Sequence, residues 1–308
     1  MSETSIKIKD LCEKWRNSVK YEDGSVSYTL EGEKYRLLTT GIQFHEFDFE
    51  DTQTACKELT SIRAESLDHS YFRAWVAELI FSEFEYFSEN EMGLQQLFSA
   101  CVRASLTGKA SYKINFEEAK SFNKSVDFNT IDLARHSSLI FSQLSFPLLE
   151  GVLKKSCKEY VDSSGKVLKN FTVPKHIHPK EVFRVNDPVR VSSLKVLLYL
   201  LHAKISNLDL HIQLTEMFQI IEKTWNVNNA LNTIYKWRNS SLHGTDIYHS
   251  IGSTVFNLVT IIALDGIKGK FETAIPYIRQ KIDRRVSSRL NDTSDSYQRA
   301  NWEFYPPF

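Results

Sequence analysis

Apolar residues recur at helical spacing over most of the chain. Between Thr52 and about Leu106 they form successive stripes: Leu59, Ile62 and Leu67, then Phe72, Trp75, Val76, Leu79, Ile80 and Phe84, then Leu94, Leu97, Phe98, Cys101 and Val102. A period of 3.6 places such residues on one face, which a helix buries against a core. Thr107-Gly108-Lys109 predicts a glycine cap at the end of the third stripe. A long helix is predicted from Thr130 to about Tyr160, with Leu133, Ile140, Phe141, Leu144, Leu148 and Leu149 on its apolar side. Pro147 lies inside it and predicts a kink or a division. Helices resume at about Val189. Leu194, Leu197, Leu198 and Leu201 mark one, and Ile212, Leu214, Phe218, Ile221 and Trp225 the next. After a break at Asn226 to Asn229, Ala230, Leu231, Ile234 and Tyr235 open a third, closed by Gly244 at the C′ position. Two more are predicted at about Ser250–Leu264 and Phe271–Arg284.

Two stretches break this pattern. Ile6 to Ser18 still suits a short helix, but Val26, Tyr28 and Leu30 alternate with polar residues, the period of a half-buried strand. Tyr35–Leu38 and Ile42–Phe49 are further strand expectations. Later, the Asp162-Ser163-Ser164-Gly165 turn, a loose alternation from Val167 to Val173 and then Pro174, Pro179 and Pro188 predict a hairpin-like insert among the helices. Residues 109–128 are polar and lysine-containing, which sets a boundary. The expected organisation is a mixed α/β region over 1–125, a helical bundle over 126–286, and a tail over 287–308. That tail is polar first and then apolar from Trp302 to Phe308. So apolar an end is expected to dock on its own domain or on a neighbour. The fold class is mainly α.

Composition removes some function classes. Lys+Arg and Asp+Glu are both 38, so the formal charge is zero and any nucleic-acid contact must be local. Cys12, Cys56, Cys101 and Cys157 are far apart with no CxxC pair, which predicts separate reduced thiols rather than disulfides or a zinc knuckle. No apolar signal region opens the sequence. The longest apolar runs, Val196–Leu201 and Val255–Leu264, are too short or too interrupted to span a bilayer. A soluble cytoplasmic protein without membrane, metal or cofactor is the expectation. Glycine-rich phosphate loops and the GxSxG elbow are absent. His176-x-His178-Pro179 is half of a metal site with no second half, so a surface turn is expected.

Candidate chemistry concentrates in Arg238-Asn239-Ser240-Ser241-Leu242-His243. Arginine offers a permanently charged planar fork that matches a phosphate. Histidine exchanges protons near neutral pH. With 14 Arg and 9 His, a loose Arg-to-His spacing occurs about once by chance, and Arg63 to His69 is such a match. Requiring the adjacent asparagine lowers the chance expectation to roughly 0.02. On one helix Asn239 and His243 share a face, while Arg238 and His243 lie about 140° apart. Either the helix end loosens, or two copies complete one cleft. Arg135-His136 and Glu150 on the long helix are candidates to support that cleft. Glu150 follows an apolar run and needs a cationic partner, which an arginine of the motif helix can provide.

This run resembles the RNxxxH signature of the HEPN superfamily, and the match covers about residues 128–285. The resemblance implies a four-helix bundle, here with a hairpin-like insert, and a homodimer or pseudo-dimer in which two motifs line an RNA-cleaving cleft. It implies catalytic roles for Arg238, Asn239 and His243, and a metal-independent endoribonuclease of a toxin or antiphage-defence system with a restraining or activating partner protein. One subgroup continues as His-x-Tyr. This chain has His243-Gly244-Thr245, so that subgroup's regulation does not carry over. The alternative is a non-catalytic HEPN-like module that binds a partner protein, RNA or a nucleotide.

Overall fold

The computed structural model describes residues 2–18, 20–22, 25–27, 30–82, 86–109, 128–242, 249–291 and 303–306. The protein is mainly helical. Contacts divide it into one unit formed by Met1–Phe141 with Gly266–Phe308, and a second formed by Ser142–Asp265. The start of the long helix and the last helix both group with the first unit.

In the first unit, helix α1 (Glu3–Ser18) buries Ile8, Leu11, Cys12 and Trp15, one face at helical spacing, against α3 (Phe49–Thr60). A short antiparallel hairpin, β1 (Lys20–Glu22) with β2 (Ser25–Ser27), pairs Tyr21 with Val26. Its Asp23-Gly24 turn lies outside the described residues. Leu30 opens α2 (Leu30–Glu33), not a strand. The strands expected at Tyr35–Leu38 and Ile42–Phe49 are absent. The first is a series of turns and the second holds a 3-10 turn at Phe44–Glu46. Phe44 and Phe47 are both buried there, three residues apart, the spacing of a 3-10 turn. Helix α4 (Leu67–Phe81) is buried on almost every side, and it packs against α5 (Met92–Lys109). Helix α5 is described to Lys109, the last residue of the expected Thr107-Gly108-Lys109 stop.

A helix buried all round must satisfy its polar groups internally. Asp68 accepts the N–H groups of Leu37 and Leu38 at 2.7 and 3.3 Å. Arg73 pairs with Glu65 at 2.9 Å and donates to the Ser105 hydroxyl at 2.6 Å. Glu78 receives both Nη atoms of Arg285 at 2.8 Å, from helix α11 (Phe271–Asn291). The same carboxylate accepts the backbone N–H groups of Phe304 and Tyr305. The apolar end is thus docked within its own unit. Phe304 and Tyr305 are buried, and Arg103 lies over the Phe304 ring at 4.6 Å.

The long helix, α6 (Phe128–Ser156), is continuous through Pro147, and its residues from Ser142 on belong to the second unit. There it is joined by the hairpin β3 (Phe171–Thr172) with β4 (Val182–Phe183) and by α7 (Leu194–Leu200), which ends in a π-helical turn at Leu201–Ile205. Helices α8 (Leu208–Trp225), α9 (Ala230–Leu242) and α10 (His249–Ile267) follow. Helix α9 packs on α7 and α8, and the Trp225 indole donates to the Thr254 hydroxyl of α10 at 3.3 Å. The sequence from Ser250 on is long and apolar enough to cross a bilayer, contrary to the expectation for this run. However, 83% of its most apolar window is buried in protein. The four cysteines are buried, and none of them is in a disulfide.

Candidate functional site

Helix α9 is set by its ends. Helix α8 stops at Asn226, whose left-handed backbone (φ 51°) lets the Asn226 and Val227 N–H groups cap the last carbonyls. Asn229 then accepts the Asn232 N–H at 2.8 Å, an N-cap for α9, while Glu222 takes the Ala230 N–H at 2.9 Å. Ala230, Ile234, Trp237 and Ser241 form the buried face. Trp237 meets Trp225 edge-to-face at 4.8 Å between centroids. At the other end, the Gln143 amide of α6 donates to the Ser241 carbonyl at 3.2 Å, satisfying one of the last-turn acceptors.

This register leaves Arg238 and Asn239 half-exposed on the last turns. Arg238 Nη1 donates to Asn239 Oδ1 at 3.4 Å. Arg238 Nη2 lies 3.8 Å from Glu150 Oε2, and Glu150 Oε1 is held by Lys154 Nζ at 2.7 Å. A distance of 3.8 Å is an ion pair but exceeds hydrogen-bond range. Glu150 therefore orients the fork without locking it, since Lys154 takes the shorter contact. The Arg238 and Glu150 side chains keep 29% and 20% of their surface, enough for solvent or an anion to reach them.

Of the sequence-derived residues, Arg238, Asn239 and Glu150 come together. His243 and Gly244 lie outside the described residues, as does the side chain of Arg135. His136 is exposed and belongs to the first unit. The rival match resolves into architecture: His69 Nδ1 accepts the Ser66 N–H at 3.2 Å in the capping box of α4, with its Nε2 3.1 Å from the Leu59 carbonyl. His178 Nδ1 accepts the Lys180 N–H at 3.1 Å, a turn contact.

Two features carry no signal in the sequence. His202, on the π-helical turn, stacks on His211 with centroids 4.2 Å apart and planes 12° from parallel. Its Nε2 meets the Thr215 hydroxyl at 2.8 Å, and burial followed by His211 lowers its pKa. The second is an open pocket beside the β3–β4 hairpin. Neither follows from spacing, because both depend on elements distant in sequence or irregular in geometry. No protein-family model, curated protein or solved structure matches the chain.

Proposed function

We propose that the chain is a metal-independent endoribonuclease of the HEPN type, a homodimer acting in the cytoplasm as a toxin or antiphage-defence effector under a restraining or activating partner protein. The observation that carries this reading is the paired, half-exposed Arg238 and Asn239 on the last turns of α9, immediately before His243. The helices of the second unit stand for the HEPN-like bundle. His243, as general base, removes the ribose 2′-hydroxyl proton, and the oxygen attacks the adjacent phosphorus. Arg238 meets the charge that builds on the phosphoryl oxygens. Asn239 holds a phosphate oxygen or orients the imidazole. The leaving 5′-oxygen takes a proton from His243 of a second copy. The reading is supported by the loose hold of Glu150 on Arg238, which leaves the guanidinium free to turn toward a phosphate.

The test uses purified protein and total RNA in EDTA. His243→Ala loses cleavage while its melting temperature stays at the wild-type value, and light scattering gives twice 35.7 kDa. Cleavage by His243→Ala equal to wild type, or cleavage lost with EDTA, overturns the mechanism. A binding module is the second reading, favoured because the described part of the cluster pairs an arginine with an amide, groups that hold a phosphate without transferring a proton. It predicts RNA binding without cleavage by wild-type protein.

A further inference from the structure

The second unit carries an open surface pocket of about 310 Å³ lined by Tyr160, Asn170, Phe171, Val182, Arg184 and Lys204, all but Tyr160 and Phe171 exposed. Its volume falls at the lower end of small-molecule sites. The chain reaches it from three places: the turn after α6, the β3–β4 hairpin, and the π-helical turn after α7. The hairpin is held firmly. Phe171 and Phe183 stack across it at 4.8 Å, and Asn170 Oδ1 accepts the Val185 N–H at 2.8 Å.

The lining is rich in uncommitted donors. The Arg184 backbone N–H goes to Asp187, whose carboxylate is taken at 2.9 Å by Lys180. The Arg184 side chain makes no ion-pair contact within 4 Å among the described residues but lies in the field of Asp187, whose pKa it helps to lower, and the Lys204 ammonium makes no such contact there. The Asn170 amide nitrogen and the Tyr160 hydroxyl have no hydrogen-bond partner there either. Lys169, outside the lining, lies over one face of the Tyr160 ring, 4.7 Å from its centroid, which leaves the other face for a ligand. Glu159 and Glu181 are exposed chain neighbours of the lining, but no acid lines the pocket among the described residues. Exposed cations and an amide beside an aromatic ring suit an anion that also carries a flat, polar-edged group. Arginine and lysine together match a phosphate dianion. A ring such as Tyr160 packs against a nucleobase, and a free amide reads its edge.

We propose that this pocket binds a nucleoside monophosphate, with Arg184 and Lys204 on the phosphate and the base against Tyr160 with Asn170 at its edge. The site is separate from the Arg238 cluster in its residues, and it does not require RNA cleavage. Within the reading above it provides a nucleotide-responsive site on the same unit.

The full-length protein is titrated calorimetrically with adenosine 5′-monophosphate, adenosine and inorganic phosphate. The monophosphate binds once per chain, and adenosine and phosphate each bind about tenfold more weakly or worse. Arg184→Gln and Lys204→Gln each weaken the monophosphate about tenfold, while Lys204→Arg stays within about threefold of wild type. Both positions are exposed, and unchanged melting temperatures show that the variants are folded. His243→Ala binds the monophosphate as wild type does. Four results overturn the proposal: no saturable binding at millimolar monophosphate, equal affinity in both Gln variants, phosphate alone binding as tightly as the nucleotide, or binding lost in His243→Ala. Failure of cleavage in the preceding section leaves this result standing, since its readout is binding alone.

Discussion

Arg238 can be tested without removing its charge. Arg238→Lys retains the cation but loses the planar fork. If the cluster is catalytic, the change lowers the cleavage rate far more than RNA affinity, because only contacts that strengthen in the transition state accelerate the chemistry. Single-turnover rates beside binding constants decide it, and equal losses in both support the binding module. Stability should change by less than about 1 kcal/mol, since the pair with Glu150 is partly exposed. Asp68 makes a sharper prediction. Burial raises its pKa from 3.8 to about 6, against the opposing pull of the Leu37 and Leu38 N–H groups. The folded protein therefore holds a proton that the unfolded chain has released. The protein loses stability through this group as pH rises from about 4 to about 6, and the loss is complete above that. Compared with Asp68→Asn, the wild type should fall by roughly 2–3 kcal/mol across that window. Urea titrations of both proteins at four pH values measure the difference, and a constant offset would refute the assignment.

At the scale of elements, the helices were legible because their apolar residues repeat every three or four positions. Ile8, Leu11, Cys12 and Trp15, and later Ile234 and Trp237, are buried as that period requires. The misread strands failed for a related reason. Ile42 and Phe44 are two apart, as in a strand, but Phe44 and Phe47 are three apart, and a 3-10 turn satisfies all three. Short runs cannot separate these periods. The Asp162–Gly165 turn was readable, and its glycine has a strict reason. Gly165 has φ 84°, and a Cβ there would sit 2.5 Å from the Val191 carbonyl oxygen. That oxygen belongs to backbone, fixed by the 2.7 Å bond from Val191 N–H to the Gly165 carbonyl. Gly165→Ala should cost more than about 2 kcal/mol, from both the left-handed backbone and the clash. Thermal unfolding monitored by circular dichroism will register it. A drop under about 1 °C would mean that the turn relaxes freely.

For the whole molecule, sequence patterning locates the helices but not which of them meet. The Arg238–Glu150 pair was accessible to reasoning because a carboxylate beside an apolar run needs a cation. The gathering of Glu78, Arg285 and Phe304 was not, because it joins residues more than 200 positions apart with no shared motif. Phe304→Ala should destabilise the first unit by roughly 3 kcal/mol, the usual cost of emptying a fully buried aromatic position. Urea unfolding tests this, and a loss under about 1 kcal/mol would mean that the tail rests on the unit without supporting it. The same contact has a consequence for synthesis on the ribosome. The second unit is one uninterrupted stretch, Ser142–Asp265, and can close as soon as it emerges. Glu78 meets its backbone donors only 226 residues after it is made. At roughly 5–20 residues per second that is a wait of about 10–45 s, during which the carboxylate stands on an apolar helix without them. The nascent first unit is therefore completed only after the second has been made, by a segment that reaches back more than 200 residues to Glu78, and until then the early part of the first unit waits unfinished.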